Sequence, residues 1–225
     1  MSSERHVIER NEPHVLYVRG ERIEQIKGGA DHVSNSLLYM LRTYFQHSVN
    51  ELYLYEFCKR PTSRQAVLFD ALQGRFFPYG RQEATQLRRI IPSYDFVFLD
   101  QSVYGRLLSD ARISRPDLKT AVLFHNVECE FYAQRVWRAG RIHNALLIPA
   151  ILRAEKEALR ADLVMTLTRK DSKKLQCLYG RSADCIIMPV VADRYNRALA
   201  EQVKSKNKTD KFNMLFAGSA FPPNI

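Results

Sequence analysis

His125, Asn126 and Glu128 follow directly on the apolar run Ala121-Val122-Leu123-Phe124. A short buried strand that empties into polar side chains sets them at the carboxyl edge of a sheet, where open α/β folds bind ligands. A neutral imidazole at such a strand end can donate to a sugar hydroxyl or a backbone carbonyl, and it titrates near physiological pH. The alternative for His125 is a buried histidine satisfied by its local surroundings. Asn126 is expected to brace the following loop and Glu128 to pair with a nearby arginine, in roles that can be purely architectural. Asp100-Gln101-Ser102 closes a second apolar run, Tyr94 to Leu99, and so shares the edge with His125. Asp100 can accept from a hydroxyl of a polar substrate, while a turn or helix cap at Asp100 or Ser102 is the structural alternative.

Gly28-Gly29 lies between a β-rich run and an amphipathic one. Glycines at such a junction let the backbone approach a phosphate, and the helix start supplies N–H groups and partial positive charge. The pair is a weak motif: no G-K-[ST] follows, and it is not G-x-G-x-x-G. An ordinary loop is the competing reading. Asp31 is expected to cap the helix from His32 onward.

The elements that must carry these residues are read from apolar periodicity. His14–Arg19 is expected as the first strand, and Val33, Leu37, Leu38, Leu41 and Phe45 repeat at helical spacing. Strands are also expected at Leu52–Phe57, Ala66–Leu72, Tyr94–Leu99, Thr120–Phe124, Leu163–Leu167 and Cys185–Met188, where Pro189 closes the unit. Helices are expected over Glu83–Ile91, ending at Pro92, after Ser102, through Glu130–Arg160 with breaks near Gly140 and Pro149, and over Arg169–Leu178. Asp171 falls in the first turn of the last helix, where a carboxylate suits the dipole. Apolar strands alternating with helices imply an α/β fold with a parallel sheet covered on both faces. Residues 1–192 form this domain, 193–211 a charged linker, and 212–225 the first strand and glycine turn of a further unit.

The 225 residues are 46% hydrophobic and 11% aromatic, as in a soluble globular protein. No apolar run reaches the ~18 residues of a membrane span, and Met1–Pro13 has no apolar signal core, so the chain is expected in the cytoplasm. Cys58, Cys129, Cys177 and Cys185 contain no C-x-x-C pair and support neither a zinc site nor a redox motif. The net charge of +10 calls for an anionic partner, such as acidic lipid or a nucleotide-sugar diphosphate. The chain carries no recognised nucleic-acid motif, and no nucleic-acid partner is expected.

Taken in order, Lys27-Gly28-Gly29-Ala30-Asp31-His32-Val33, Phe124-His125-Asn126-Val127-Glu128, the stretch Leu152–Tyr179, and Leu215-Phe216-Ala217-Gly218-Ser219 with Pro222-Pro223-Asn224 resemble the N-terminal domain of a GT-B glycosyltransferase of the retaining family four. The resemblance implies a Rossmann-like domain that holds the acceptor and faces a second domain holding the nucleotide-sugar. It implies Gly28 and Gly29 near the donor diphosphate, His125 as the catalytic residue facing the donor sugar, and Asp100, Ser102, Asn126 and Glu128 toward acceptor or sugar. It implies no metal, no cofactor beyond the nucleotide-sugar co-substrate, and retention of anomeric configuration. The acceptor is expected to be a glycan or a polyprenyl-linked glycan, with peripheral contact at the inner membrane face. The second domain's nucleotide pocket is not within these residues, so the 225-residue chain alone is expected to be inactive. The alternative is a non-catalytic, degenerate transferase domain that binds a glycan, an anionic lipid or a partner protein.

Overall fold

In a computed structural model, residues 13–24, 28–57, 64–139, 145 and 147–187 are described. They form a six-stranded, wholly parallel sheet in the order β2-β1-β3-β4-β5-β6. Its strands are β1 (Val15–Arg19), β2 (Val49–Tyr53), β3 (Phe96–Leu99), β4 (Lys119–Phe124), β5 (Leu163–Thr166) and β6 (Cys185–Ile186). Eight helices accompany them among the described residues: α1 (Gly29–Phe45), α2 (Leu54–Phe57), α3 (Arg64–Leu72), α4 (Arg81–Ile90), α5 (Arg106–Ser114), α6 (Glu128–Ala139), α7 (Ile148–Ala158) and α8 (Arg169–Tyr179). The chain is thus α/β and Rossmann-like. Among the described residues no helix is long and apolar enough to cross a membrane.

Strand parity explains the two layers. Leu16 and Val18 on β1 join Val97, Leu99, Val122, Phe124 and Val164 in the larger core, under α4, α5 and α7. Tyr17 joins Phe98, Ala121, Leu123 and Met165 in the smaller core, beneath Val33, Leu37 and Leu38 of α1. Strands buried on both faces read as continuous apolar runs, which is why β1, β3 and β4 were visible in sequence. One close approach fixes the helical layer: a Cβ at Gly105 would collide with the Ala154 carbonyl of α7. That contact lays α7 against the 3-10 turn Ser102–Tyr104 that follows β3, and Glu155 reaches the start of α6.

Several expectations are corrected. The strand expected at Leu52–Phe57 begins earlier, at Val49, and ends at Tyr53; the chain then turns into α2, burying Leu54 and exposing Tyr55. The Tyr53, Tyr55, Phe57 alternation therefore does not mark one strand. Ala66–Leu72 is not a strand but α3, stopped at Gly74, whose φ of 77° terminates the helix left-handed. Short apolar runs do not separate the two periods, and the turn after Leu72 decided the outcome. The break expected near Pro149 is the start of α7 at Ile148, with Pro149 in its first turn, where its missing N–H costs nothing. Asp31 does not cap α1, because the helix starts at Gly29 with Gly28 at the cap position. Asp171 does lie in the first turn of α8, capped by Thr168.

The linker expected at 193–211 and the strand and glycine turn expected at 212–225 lie outside the described residues. So do Lys27, Cys58, Gly140, Met188 and Pro189.

Candidate functional site

The strand order sets the location. From β1 the chain moves outward to β2, then crosses back to β3 on the other side, so the order reverses between β1 and β3. Ligands of open α/β sheets bind in the crevice outside the carboxyl ends of strands at such a reversal. Arg19, Asp100 and His125 stand at the carboxyl ends of β1, β3 and β4.

Asp100 is their centre and is fully buried. Its Oδ2 accepts from the Tyr17 hydroxyl at 2.5 Å, and its Oδ1 lies 2.9 Å from His125 Nε2. A carboxylate only accepts, so Nε2 donates to it, and this fixes the ring. Ser34 Oγ, from the second turn of α1, lies 3.4 Å from the same Nε2. The imidazole is 9% exposed, and its Nδ1 is buried without a hydrogen-bond partner among the described residues. Arg19 adds a cation: Nη2 donates to Asp31 Oδ1 at 2.6 Å, while Nη1 stands 3.8 Å from Asp100. Burial and then the charge of Asp100 push the Tyr17 phenol far above its ordinary range, so it remains a hydrogen donor.

Gly28 and Gly29 lead into this cluster. Gly28 is extended, and among the described residues no side chain caps α1 and a Cβ at either glycine would meet nothing within 4 Å. Packing among the described residues therefore requires neither glycine at the first turn of α1. Its N–H groups can accept an anion from outside the protein.

Glu128 opens α6 one turn beyond His125. Burial first, then the nearby Glu155 charge, raise its carboxyl to about 7, with His125 pulling the other way. Its electrostatic neighbours among the described residues are thus Glu155 and His125, not the arginine expected. Glu155 is fully buried and holds the start of α6, accepting from the Glu128 N–H at 2.7 Å, the Cys129 N–H at 3.3 Å and the Tyr179 hydroxyl at 2.5 Å.

The sequence-chosen residues divide. Gly28, Gly29, Asp100 and His125 meet at one edge, with Asp100 turned inward to hold His125. Asn126 is exposed just beyond the imidazole, and Glu128 lies next to it on α6. Ser102 is buried in a one-turn 3-10 helix, where its carbonyl accepts from Gly105 N–H at 2.9 Å. Sequence reasoning missed Tyr17, Arg19, Ser34 and Glu155. An arginine closing an apolar strand was a usable signal for Arg19; nothing local marked the other three.

No protein-family model matches the chain, and no curated protein matches it significantly. Among solved structures, an azoreductase from Bacillus anthracis str. Sterne matches with a TM-score of 0.31 and 14% identity, over 64% of this chain and 99% of that one.

Proposed function

We propose that the chain is the acceptor-side part of a retaining GT-B glycosyltransferase, which moves a sugar from a nucleotide-sugar to a glycan or lipid-linked acceptor at the cytoplasmic face of a membrane. One observation carries the reading. His125 and the glycine-led start of α1 share the carboxyl edge at the strand-order reversal, tied through Ser34 and Asp100. The sequence resemblance pairs the same two features, a glycine loop for the donor diphosphate and a histidine for the donor sugar.

In this reading the chain's own groups act by positioning and electrostatics. The N–H groups of the α1 first turn take up negative charge as the diphosphate departs. Asp100 holds the His125 ring through Nε2, which fixes the imidazole at the sheet edge assigned to the donor sugar. Tyr17 and Arg19 hold the Asp100 carboxylate in place. In this reading the nucleotide is held by a second lobe.

A second reading has its own support: the imidazole is nine-tenths buried and already engaged. That suits a non-catalytic module that binds a glycan, an anionic lipid or a partner protein and uses His125 as a brace.

The deciding experiment is a transfer assay on the longest form the coding region yields, with a panel of nucleotide-sugars and a lipid-linked glycan acceptor. Sugar transfer with retained anomeric configuration supports the first reading. Glycan binding without transfer from any donor supports the second.

A further inference from the structure

Glu155 is a buried carboxylate that the proposed chemistry leaves unused. Asp100 and Asp110 are buried to the same extent, but each faces arginine. Glu155 has no ion-pair partner among the described residues. What offsets its burial is hydrogen-bond donors: the Tyr179 hydroxyl and the N–H groups of Glu128 and Cys129. Burial raises its carboxyl above the ordinary range. It shares the buried face of α7 with Ile151, Ala154 and Ala158, where an apolar side chain would pack without this penalty. The carboxylate therefore needs a reason other than packing.

It supplies a cap that α6 cannot make for itself. The residue before α6 is Val127, whose side chain has no acceptor, so the first N–H groups of the helix find theirs on α7, 27 positions along the chain. Only His125, Asn126 and Val127 separate that turn from the end of β4. The sheet holds the near end of this connection, where Phe124 and Thr166 are register partners. Val127 is buried, and its carbonyl accepts from Phe131 N–H at 3.1 Å. A three-residue connection fixed at both ends leaves the His125 backbone little freedom, and Asp100 then fixes the ring. Tyr179, the last residue of α8, adds a hold on Glu155 itself.

We propose that Glu155 is a positioning residue for His125: by capping α6 from α7 it sets the backbone turn that presents the imidazole, while Asp100 sets the ring. The consequence for catalysis rests on the transferase reading. The effect on the imidazole does not.

The test is nitrogen NMR of the His125 ring in the chain, with hydrogen exchange at the Glu128 and Cys129 amides. Glu155→Met keeps the side-chain length and removes the acceptors. It is expected to shift the ring nitrogens and to speed exchange at both amides about tenfold or more. Glu155→Gln keeps a carbonyl for the Glu128 N–H and is expected to restore most of both signals. Tyr179→Phe leaves the carboxylate in place and is expected to give a smaller shift of the same sign; it decides the question alone if Glu155→Met does not fold. Asp110→Asn, which removes a buried charge elsewhere in the helical layer, should leave the ring signals where they are. In the longest form of the protein, Glu155→Met is expected to lower the kcat of the proposed transfer about tenfold or more at unchanged donor KM. Ring signals that stay put in Glu155→Met and Tyr179→Phe, or that move as far in Asp110→Asn, overturn the proposal. So does transfer that Glu155→Met leaves undiminished. Displaced ring signals with no sugar transfer from any form would count against the transferase reading alone.

Discussion

Asp100 and Asp110 are both fully buried, and each accepts from a tyrosine hydroxyl and faces arginine. Around Asp110, on α5, Arg75 donates through Nε and Nη2, both at 3.0 Å, with Tyr79 at 2.8 Å and Arg88 at 3.1 Å. The cluster lies in the helical layer and ties α4, α5 and the Arg75–Tyr79 connection together. Asp100 instead stands at a strand end and holds an imidazole. Unmet hydrogen bonds do not separate the two, since among the described residues Arg88 and Arg106 each leave a buried Nε without a hydrogen bond, as Arg19 leaves Nε and Nη1. Place and partner do. One aspartate clamps helices through permanent cations; the other fixes a titratable ring where ligands of this fold arrive.

The largest effect that sharpens this contrast is Asp110→Ala. It strands the 8%-exposed Arg75 guanidinium without its counter-charge, and should cost about 3–5 kcal/mol in urea unfolding. Asp100→Asn should do the reverse: stability falls by about 1–2 kcal/mol, since the amide still accepts from Tyr17, while kcat in the transfer assay drops about 10-fold or more with donor KM unchanged. A matching loss of stability in the two variants would erase the distinction.

A smaller effect separates the sites by pH. Glu128 has a folded value of about 7 against an ordinary 4.5, so the folded protein binds the extra proton. Its contribution is fully present below about 4.5, is lost as pH rises toward about 7, and is level above. Glu155, raised in the same direction by burial, adds to the slope. Unfolding across this range should show a decline of about 1–3 kcal/mol that Glu128→Gln reduces and Asp110 variants leave in place. Least of all, Gly29→Ala should change stability by less than about 1 kcal/mol, because its Cβ meets nothing among the described residues. If it still weakens transfer, the lost space was ligand space.

How much of this was readable beforehand follows from how far each contact reaches along the chain. Apolar runs local to β1, β3, β4 and β5 announced themselves, as did the polar residues that end them. α3 did not, because its run of Ala66 to Phe69 fits either period and leaves Leu68 and Phe69 half exposed. The grip on His125 joins Tyr17 to Asp100 across 83 positions, and depends on β3 returning to lie beside β1. Glu155 reaches the start of α6 because Gly105 lets α7 settle against the turn that follows β3. Sequence pattern names the strand ends; strand order decides which of them touch.

The central claim is that the His125 edge does chemistry rather than holding the fold together. His125→Gln tests it most directly, since the amide can still donate to Asp100 but cannot titrate. In the longest form of the protein, the proposed sugar transfer should fall about 100-fold, with unfolding free energy changed by less than about 1 kcal/mol. Undiminished transfer, or a loss of stability large enough to account for the loss of transfer, would contradict it.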